Sequence, residues 1–327
     1  MKQEMPLITI AIPTCNRAAI LKKALDSLLP QVKEFASKVE VLISDNGSTD
    51  NTGEAIEYYQ SAYPDLTVVH NHNKSNLGFF GNARICRELS RGQYMWLLSD
   101  DDFVVGGIVA RVVSTLNEGN IAFIHLKNNP NLTHLKETTL IRNECIKRMN
   151  FNLGLISSGI FLNDKQNDEE LFKKYDQSPF IGLIMLLRST ERFATIRIIE
   201  GNCLVGPNAP HCLQSAPAFF DAFVRGMDDV IEYMRWIGLG EADIGYYRRV
   251  YLIRIICRHY IYSKISRMDA PASVRTAEFE EIDAMVRKFY SDLLSFWLLF
   301  YPLTLFPGSI MRGAVVVYRK CRTLYAT

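Results

Sequence analysis

Three consecutive carboxylates, Asp100, Asp101 and Asp102, follow the apolar run Tyr94–Leu98 with only Ser99 between. Like charges this close stay ionised together only if solvent or a bound cation relieves their repulsion. An oxygen-only donor set suits Mg²⁺ or Mn²⁺ shared with a substrate phosphate. An acidic turn capping the next helix is the plainer use of the same residues. Three other polar clusters stand out: Thr14-Cys15-Asn16-Arg17, Ser44 to Asp50 (SDNGSTD), and Asn76 to Arg84. Any one of them alone is ordinary turn chemistry, because Asx and Gly are what tight turns require.

The segments between the clusters give them a common place. Leu7–Ile12, closed by Pro13, Val39–Ile43, Leu66–His70 and Tyr94–Leu98 are short apolar runs that predict strands. Ala18–Leu29, about Thr52–Tyr63 and Asn82–Arg91 have helical spacing between them. Strand and helix in alternation predict a mostly parallel twisted sheet flanked by helices. Such a sheet binds its ligand at the carboxyl ends of its strands, and all four clusters fall there. Further on, Phe103–Asn117 reads as a helix, Ile121–Leu126 as a strand and Lys127–Thr138 as a loop. The glycine-framed stretch Gly154–Gly159 is either a segment close to a ligand or a plain turn before a strand. Glu169–Tyr175 and Phe180–Arg188 predict helices, and Ile196–Leu204 a strand.

A chain of 327 residues, 48% hydrophobic and 22% charged, has ample core for an α/β domain with an appendage, and its composition excludes extensive disorder. Seven scattered cysteines without a CxxC pair argue against a zinc or disulfide framework and for a reducing compartment. An acidic residue and a proline precede the first apolar strand, which is not the pattern of a signal peptide, so a cytoplasmic location is expected. The formal charge of +2 hides a basic tail, since Ile244 onward carries 13 Lys and Arg against 6 Asp and Glu.

Residues 7 to 105 resemble the nucleotide-binding half of the GT-A fold of family 2 glycosyltransferases. The resemblance rests on four elements in order: an apolar strand into Pro-Thr-x-Asn-Arg, then Ser-Asp-Asn-Gly-Ser-Thr-Asp, then Asn-x-Gly, then a DXD-type acidic motif. Within the family, the Ser-Asp-Asn-Gly-Ser and Trp-Leu-x-Ser-Asp-Asp-Asp forms look most like bacterial enzymes of the abequosyltransferase type, which decorate lipid-linked surface polysaccharide. The resemblance implies an inverting, metal-dependent transfer of a sugar from a nucleoside diphosphate to a saccharide hydroxyl. It also implies that Pro13, Thr14 and Arg17 contact the nucleotide, that Asp45 or Asn46 holds the base, and that Asn82 and Arg84 lie on the donor. Ser99 replaces the first acid of the common motif, so two registers stand. Asp100 contacts the ribose with Asp101 on the metal, or Asp100 and Asp102 bracket the ion with Asp102 as direct ligand. By position Asp176, ahead of the helix at Phe180, matches the catalytic base, although a helix cap explains the same residue. His211, in the loop Gly206–His211, matches a histidine that closes on the metal.

The rival reading is a nucleotide-sugar-binding or scaffold protein without transfer activity, and Ser99 and the unpaired Asp176 favour it. The domain division expected is a GT-A unit over residues 1–219, with a nucleotide half to 105 and an acceptor half from 106, then a helical region over 220–327. Ile244–Arg267 is a helix with Arg248, Arg249, Arg254, Arg258, Lys264 and Arg267 and no acid. Leu293–Phe306 is uncharged, aromatic and too short for an ordinary membrane span of roughly 20 residues. Together they suit an anionic membrane surface and a lipid-borne acceptor better than nucleic acid. The expected location is therefore peripheral, on the inner face of the cell membrane. Packing of Leu293–Phe306 onto the body is the alternative.

Overall fold

The structure, a computed structural model, describes residues 5–128, 136–140, 156–175, 177–193, 195–206, 216–313 and 315. The strands are β1 (Ile8–Thr14), β2 (Val39–Asp45), β3 (Thr67–His72), β4 (Tyr94–Leu97), β5 (Phe103–Val104), β6 (Ile121–Asn128), β7 (Lys136–Leu140), β8 (Gly159–Leu162), β9 (Thr195–Gly201) and β10 (Leu204–Val205). Eight of them form one sheet in the order β3-β2-β1-β4-β8-β6-β9-β7, and β5 pairs with β10 in a second, two-stranded sheet. β3, β2, β1 and β4 run parallel, whereas β8 is antiparallel to both of its neighbours. Every residue of β1, β2 and β4 is buried, which is why these strands read as continuous apolar runs and not as alternating ones.

The chain leaves β1 toward β2 and β3 and returns on the other side of β1 as β4, so the strand order reverses between β1 and β4. Crevices outside such a reversal are where open α/β sheets hold ligands. Helices α1 (Ala18–Val32), α2 (Thr52–Ala62), α3 (Gly78–Leu89) and α4 (Ile108–Asn117) make the connections. Leu21, Leu25, Leu28 and Val32 of α1 and Val109, Val112 and Leu116 of α4 fill one core with Ile10, Ile12 and Trp96.

Three elements depart from the local reading, the first being β7, since Lys136–Thr138 reads as loop and instead pairs antiparallel with Ile198–Glu200 of β9. α3 starts at Gly78 and not Asn82, because Asn76 accepts the Gly78 N–H in an Asx turn and Gly78 takes φ +73°. Phe103–Val104 is strand and not helix, since its partner is Leu204–Val205, about 100 residues on, and Gly107 at φ +84° delays the helix to Ile108.

The chain divides near residue 210 into two compact units, with Ser178–Phe180 counted in the second. The first also contains α5 (Lys165–Tyr175) and α6 (Ile181–Arg192). In the second, α7 (Ala216–Trp236) packs on α10 (Ala272–Tyr290). Between them α8 (Glu241–Tyr251) continues through a π-helical turn at Leu252–Cys257 into α9 (Arg258–Ser266). Its core is aromatic: the Tyr260 ring lies 4.8 Å from Phe300 and 5.4 Å from Phe279, centroid to centroid. No helix among the described residues is long and apolar enough to cross a membrane.

Candidate functional site

β1 ends at Thr14 and β4 feeds Asp100, so the strand reversal brings the first and last polar loops together. Thr14 Oγ1 donates to Asp100 Oδ2 at 2.8 Å. Arg17 bridges the acids, with Nη1 2.5 Å from Asp100 Oδ1 and Nη2 2.8 Å from Asp101 Oδ2. Ser99 Oγ donates to Asp101 Oδ1 at 2.5 Å. Asp102 is bonded by the Ser157 hydroxyl, which also accepts the Ser99 N–H at 2.8 Å. A Cβ on Gly206 would lie 2.3 Å from Asp102 Oδ1, so a bare residue there leaves room for the carboxylate.

Among the described residues the charges of the loop do not balance, since Arg17 pairs with Asp100 and Asp101 and no guanidinium or ammonium pairs with Asp102. Burial pushes Asp100 up to about 6 despite Thr14 and Arg17. It also raises Asp102, with the charge of Asp101 adding to the effect. On Asp101 burial acts the same way, but the bonds from Ser99 and Arg17 outweigh it and hold the group below its ordinary value. A divalent cation fits this oxygen-rich, under-neutralised loop, which would trade proton affinity for metal affinity.

The raised Asp100 value has a consequence for stability. Folding favours the neutral acid here, so ionisation costs stability; the cost is absent below about pH 4, grows as pH rises, and is complete above about pH 6. Asp100→Asn, which mimics the neutral acid, should therefore stabilise the cation-free protein by on the order of 2 kcal/mol at pH 7 and by almost nothing at pH 4. Denaturant midpoints of both proteins at the two pH values check this. A variant equally or less stable at pH 7 would contradict it.

The loop after β2 is tied to the first loop through Asn16, at φ +52°. Asn16 N–H donates to Ser48 Oγ and Asn16 Oδ1 accepts Thr49 N–H, both at 2.7 Å. Gly47 takes φ +71°, and a Cβ there would sit 2.9 Å from the Ser75 backbone, so only glycine fits. Asp45 is buried, accepts the Ser48 N–H at 3.0 Å on Oδ1 and meets His72 Nδ1 at 2.9 Å on Oδ2. Asn46 is spent on the fold. Its Nδ2 donates to Asn76 Oδ1 and Gly78 O, and its Oδ1 accepts Asn73 Nδ2 and Leu77 N–H. A carboxamide has two donors and two acceptor positions, so none is left for a ligand.

Asn82 is likewise buried, accepting Ser44 Oγ and Asn73 Nδ2 and donating to Ser44 O. Arg84 is half-exposed on α3, 3.6 Å from Glu88 one turn on. Pro13 lies in the buried end of β1 opposite Ser44 of β2. The structure thus gathers Thr14, Arg17, Asp100, Asp101 and Asp102, sets Asp45 on the neighbouring strand end, and gives Asn46 and Asn82 framework bonds. Asp176 and His211 lie outside the described residues. Asn16, Ser48, Ser157 and Gly206 also shape the site. All four lie in stretches marked in the sequence, Asn16 and Ser48 in the first two polar clusters, Ser157 in the glycine-framed segment and Gly206 at the head of the Gly206–His211 loop.

The family model for glycosyl transferase family 2 matches residues 9–181, more than half of the chain. The chain belongs to that family. Among its relatives, abequosyltransferase RfbV of Salmonella typhimurium is 38% identical over 96 residues, 29% of this chain and 28% of the relative. The GalNAc(5)-diNAcBac-PP-undecaprenol beta-1,3-glucosyltransferase of Campylobacter jejuni is 29% identical over 115 residues, 35% of this chain and 36% of the relative. The matches thus span about a third of the curated relatives. S. aureus TarS 1-349 in complex with UDP-GlcNAc superposes with a TM-score of 0.58 at 14% identity, over 86% of this chain and 81% of that one. Mannosyltransferase PcManGT of Pyrobaculum calidifontis, with GDP-Man and Mn²⁺, gives 0.51 at 13%, over 86% and 81%. The GT-A fold is shared with both.

Proposed function

We propose that this protein is an inverting, cation-dependent glycosyltransferase that moves a sugar from a nucleoside-diphosphate donor to a hydroxyl of a lipid-linked saccharide, of the kind built into O-antigen-type surface polysaccharide. The observation that carries the reading is the acid loop at the β1/β4 reversal, held on one side by Arg17 and Thr14 and under-neutralised on the other. Two relatives support the acceptor, since one is a glucosyltransferase of an undecaprenol-linked saccharide and another is an abequosyltransferase. Neighbours of the same fold carry nucleotide sugars and, in one case, Mn²⁺.

In this reading Asp101 and Asp102 hold the cation, with His211 joining them. When bound, Mn²⁺ or Mg²⁺ supplies neutralisation of the charge that grows on the leaving diphosphate. Asp45 holds the base, because Asn46 has no free donor or acceptor. Pro13 and Thr14 line the nucleotide, Asp100 faces the ribose, and Arg17 keeps Asp100 and Asp101 in register. Asp176 takes the acceptor hydroxyl's proton as its oxygen attacks the anomeric carbon. One displacement without a covalent intermediate inverts that centre. Residues 1–105 serve the donor, 106–219 the acceptor, and 220–327 the membrane. Thermal shift of the full chain against a panel of nucleotide sugars with Mn²⁺ tests donor binding. A donor at 100 times its dissociation constant should stabilise by roughly 2.7 kcal/mol, and absence of any shift across UDP, GDP, CDP and dTDP sugars would overturn the reading.

The second unit supports attachment at the inner face of the cell membrane. Phe296 and Phe300 are buried, whereas Leu294, Trp297, Leu298, Leu305 and Phe306 are exposed, Leu294 by 72%. The segment therefore divides its residues between core and surface. Not all the basic residues are available to lipid. Lys264 Nζ is held by the carbonyls of Leu303, Thr304 and Phe306, and Arg248 pairs with Asp292, while Arg249, Arg254 and Arg258 are exposed. Attraction of about 1 kcal/mol per exposed charge is screened by salt, but apolar insertion is not. We expect binding to anionic vesicles that survives a high-salt wash and yields to detergent, and that Leu294→Ser with Leu298→Ser releases. A full chain that stays in solution at every ionic strength would contradict it.

A further inference from the structure

β3 ends His70-Asn71-His72 beside the end of β2, with His72 in register with Asp45 and His70 with Ile43. Alternate residues of a strand share a face, so both imidazoles project to the same side. One ligand atom from each of Asp45, His70 and His72 lies within 4.8 Å of the others. His70 Nε2 is cut off from solvent and has no hydrogen-bond partner among the described residues, a costly state for an imidazole nitrogen unless something else engages it.

We infer that Asp45, His70 and His72 form a binding site for a borderline divalent transition metal such as Zn²⁺, separate from the acid loop, and that filling it blocks the nucleobase. Two imidazole nitrogens and one carboxylate oxygen prefer Zn²⁺ over Mg²⁺ or Mn²⁺, opposite to the oxygen-only loop at Asp100–Asp102. Three protein ligands with a fourth position open to solvent is a common zinc arrangement. The Ser48 N–H on Asp45 Oδ1 orients the carboxylate from outside, as such ligands require. His72, 55% exposed, leaves a way in. On binding, the neutral His72 ring takes the tautomer with its proton on Nε2, which frees the Nδ1 lone pair, and Asp45 Oδ2 turns from His72 to the metal. The second half of the inference rests on Asp45 holding the base.

The test titrates the full chain with Zn²⁺ alone, under a non-thiol reductant, in the wild type, in His70→Asn with His72→Asn, in His72→Gln alone, and in Asp101→Asn with Asp102→Asn. One Zn²⁺ should bind the wild type and the acid-loop variant alike and bind the double-histidine variant at least ~100-fold more weakly. X-ray absorption of Zn²⁺-loaded wild type, which needs no variant, should show scattering from two imidazoles and no sulfur. Zn²⁺ should then weaken UDP or GDP binding in the wild type and leave it unchanged in His72→Gln. Equal Zn²⁺ binding with and without the two histidines, or a sulfur ligand, overturns the site. Zn²⁺ bound there with nucleotide affinity unaltered overturns the block. Zn²⁺ binding as expected with no nucleotide binding in any sample confirms the metal site and removes instead the base role of Asp45.

Discussion

Asp102→Ala should lower transfer by roughly 10²-fold or more, the scale of removing one group that stabilises developing charge, about 3 kcal/mol. The fold should tolerate the change, because Asp102 is a half-buried acid held by a single hydroxyl, and burial already disfavours its charge. Asp101→Ala should cost as much activity and also some stability, since it removes one arm of the Arg17 bridge and the Ser99 partner. Chelation should reproduce both losses in the wild type. The contrast between the variants separates chemistry from folding: only Asp101→Ala should shift the denaturant midpoint downward. Full turnover in both variants and in chelator would remove the cation from the reaction.

Asp176→Asn should lose about 10²- to 10⁴-fold in kcat while donor affinity holds, as expected when a general base is removed without disturbing binding. Its nearest competitors in sequence are already engaged. Asp168 is buried against Arg188 at 2.9 Å and Arg87 at 3.8 Å, and Asp164 pairs with Arg192 at 2.6 Å. Carboxylates committed to arginine are poorly placed to take an acceptor proton. Single-turnover measurements with saturating donor check this directly, and a loss smaller than about tenfold would move the role elsewhere.

Strands β1, β2 and β4 were legible because burial along their whole length leaves largely apolar runs, interrupted only at Thr9 and Glu40 before the polar ends, and the polar loops between them needed no partner to be recognised. What eluded local reading depended on distant partners. Phe103–Val104 becomes strand only because Leu204–Val205 lies against it. The antiparallel insertion of β8 between β4 and β6 has no local signature either. In the site, the cluster of acids was visible as composition, but its asymmetry was not, since Arg17 lies 83 residues from Asp100. Asn46 shows the opposite case: its position beside Asp45 suggested a ligand role, and four bonds to Asn73, Asn76, Leu77 and Gly78 account for it instead. The tail segment Leu293–Phe306 was ambiguous for a physical reason. Its two faces do different jobs, with Phe296 and Phe300 in the aromatic core and Leu294 and Leu298 facing solvent.

Release of free nucleoside diphosphate tests the central claim most directly. The full chain, with Mn²⁺, a panel of nucleotide sugars and polyprenyl-diphosphate-linked saccharides, should release it in step with a lengthened lipid-linked product. Both should vanish in chelator and in Asp102→Ala. Donor bound stoichiometrically in the presence of Mn²⁺, with neither nucleoside diphosphate nor product released, would contradict it and leave a nucleotide-sugar-binding protein in its place.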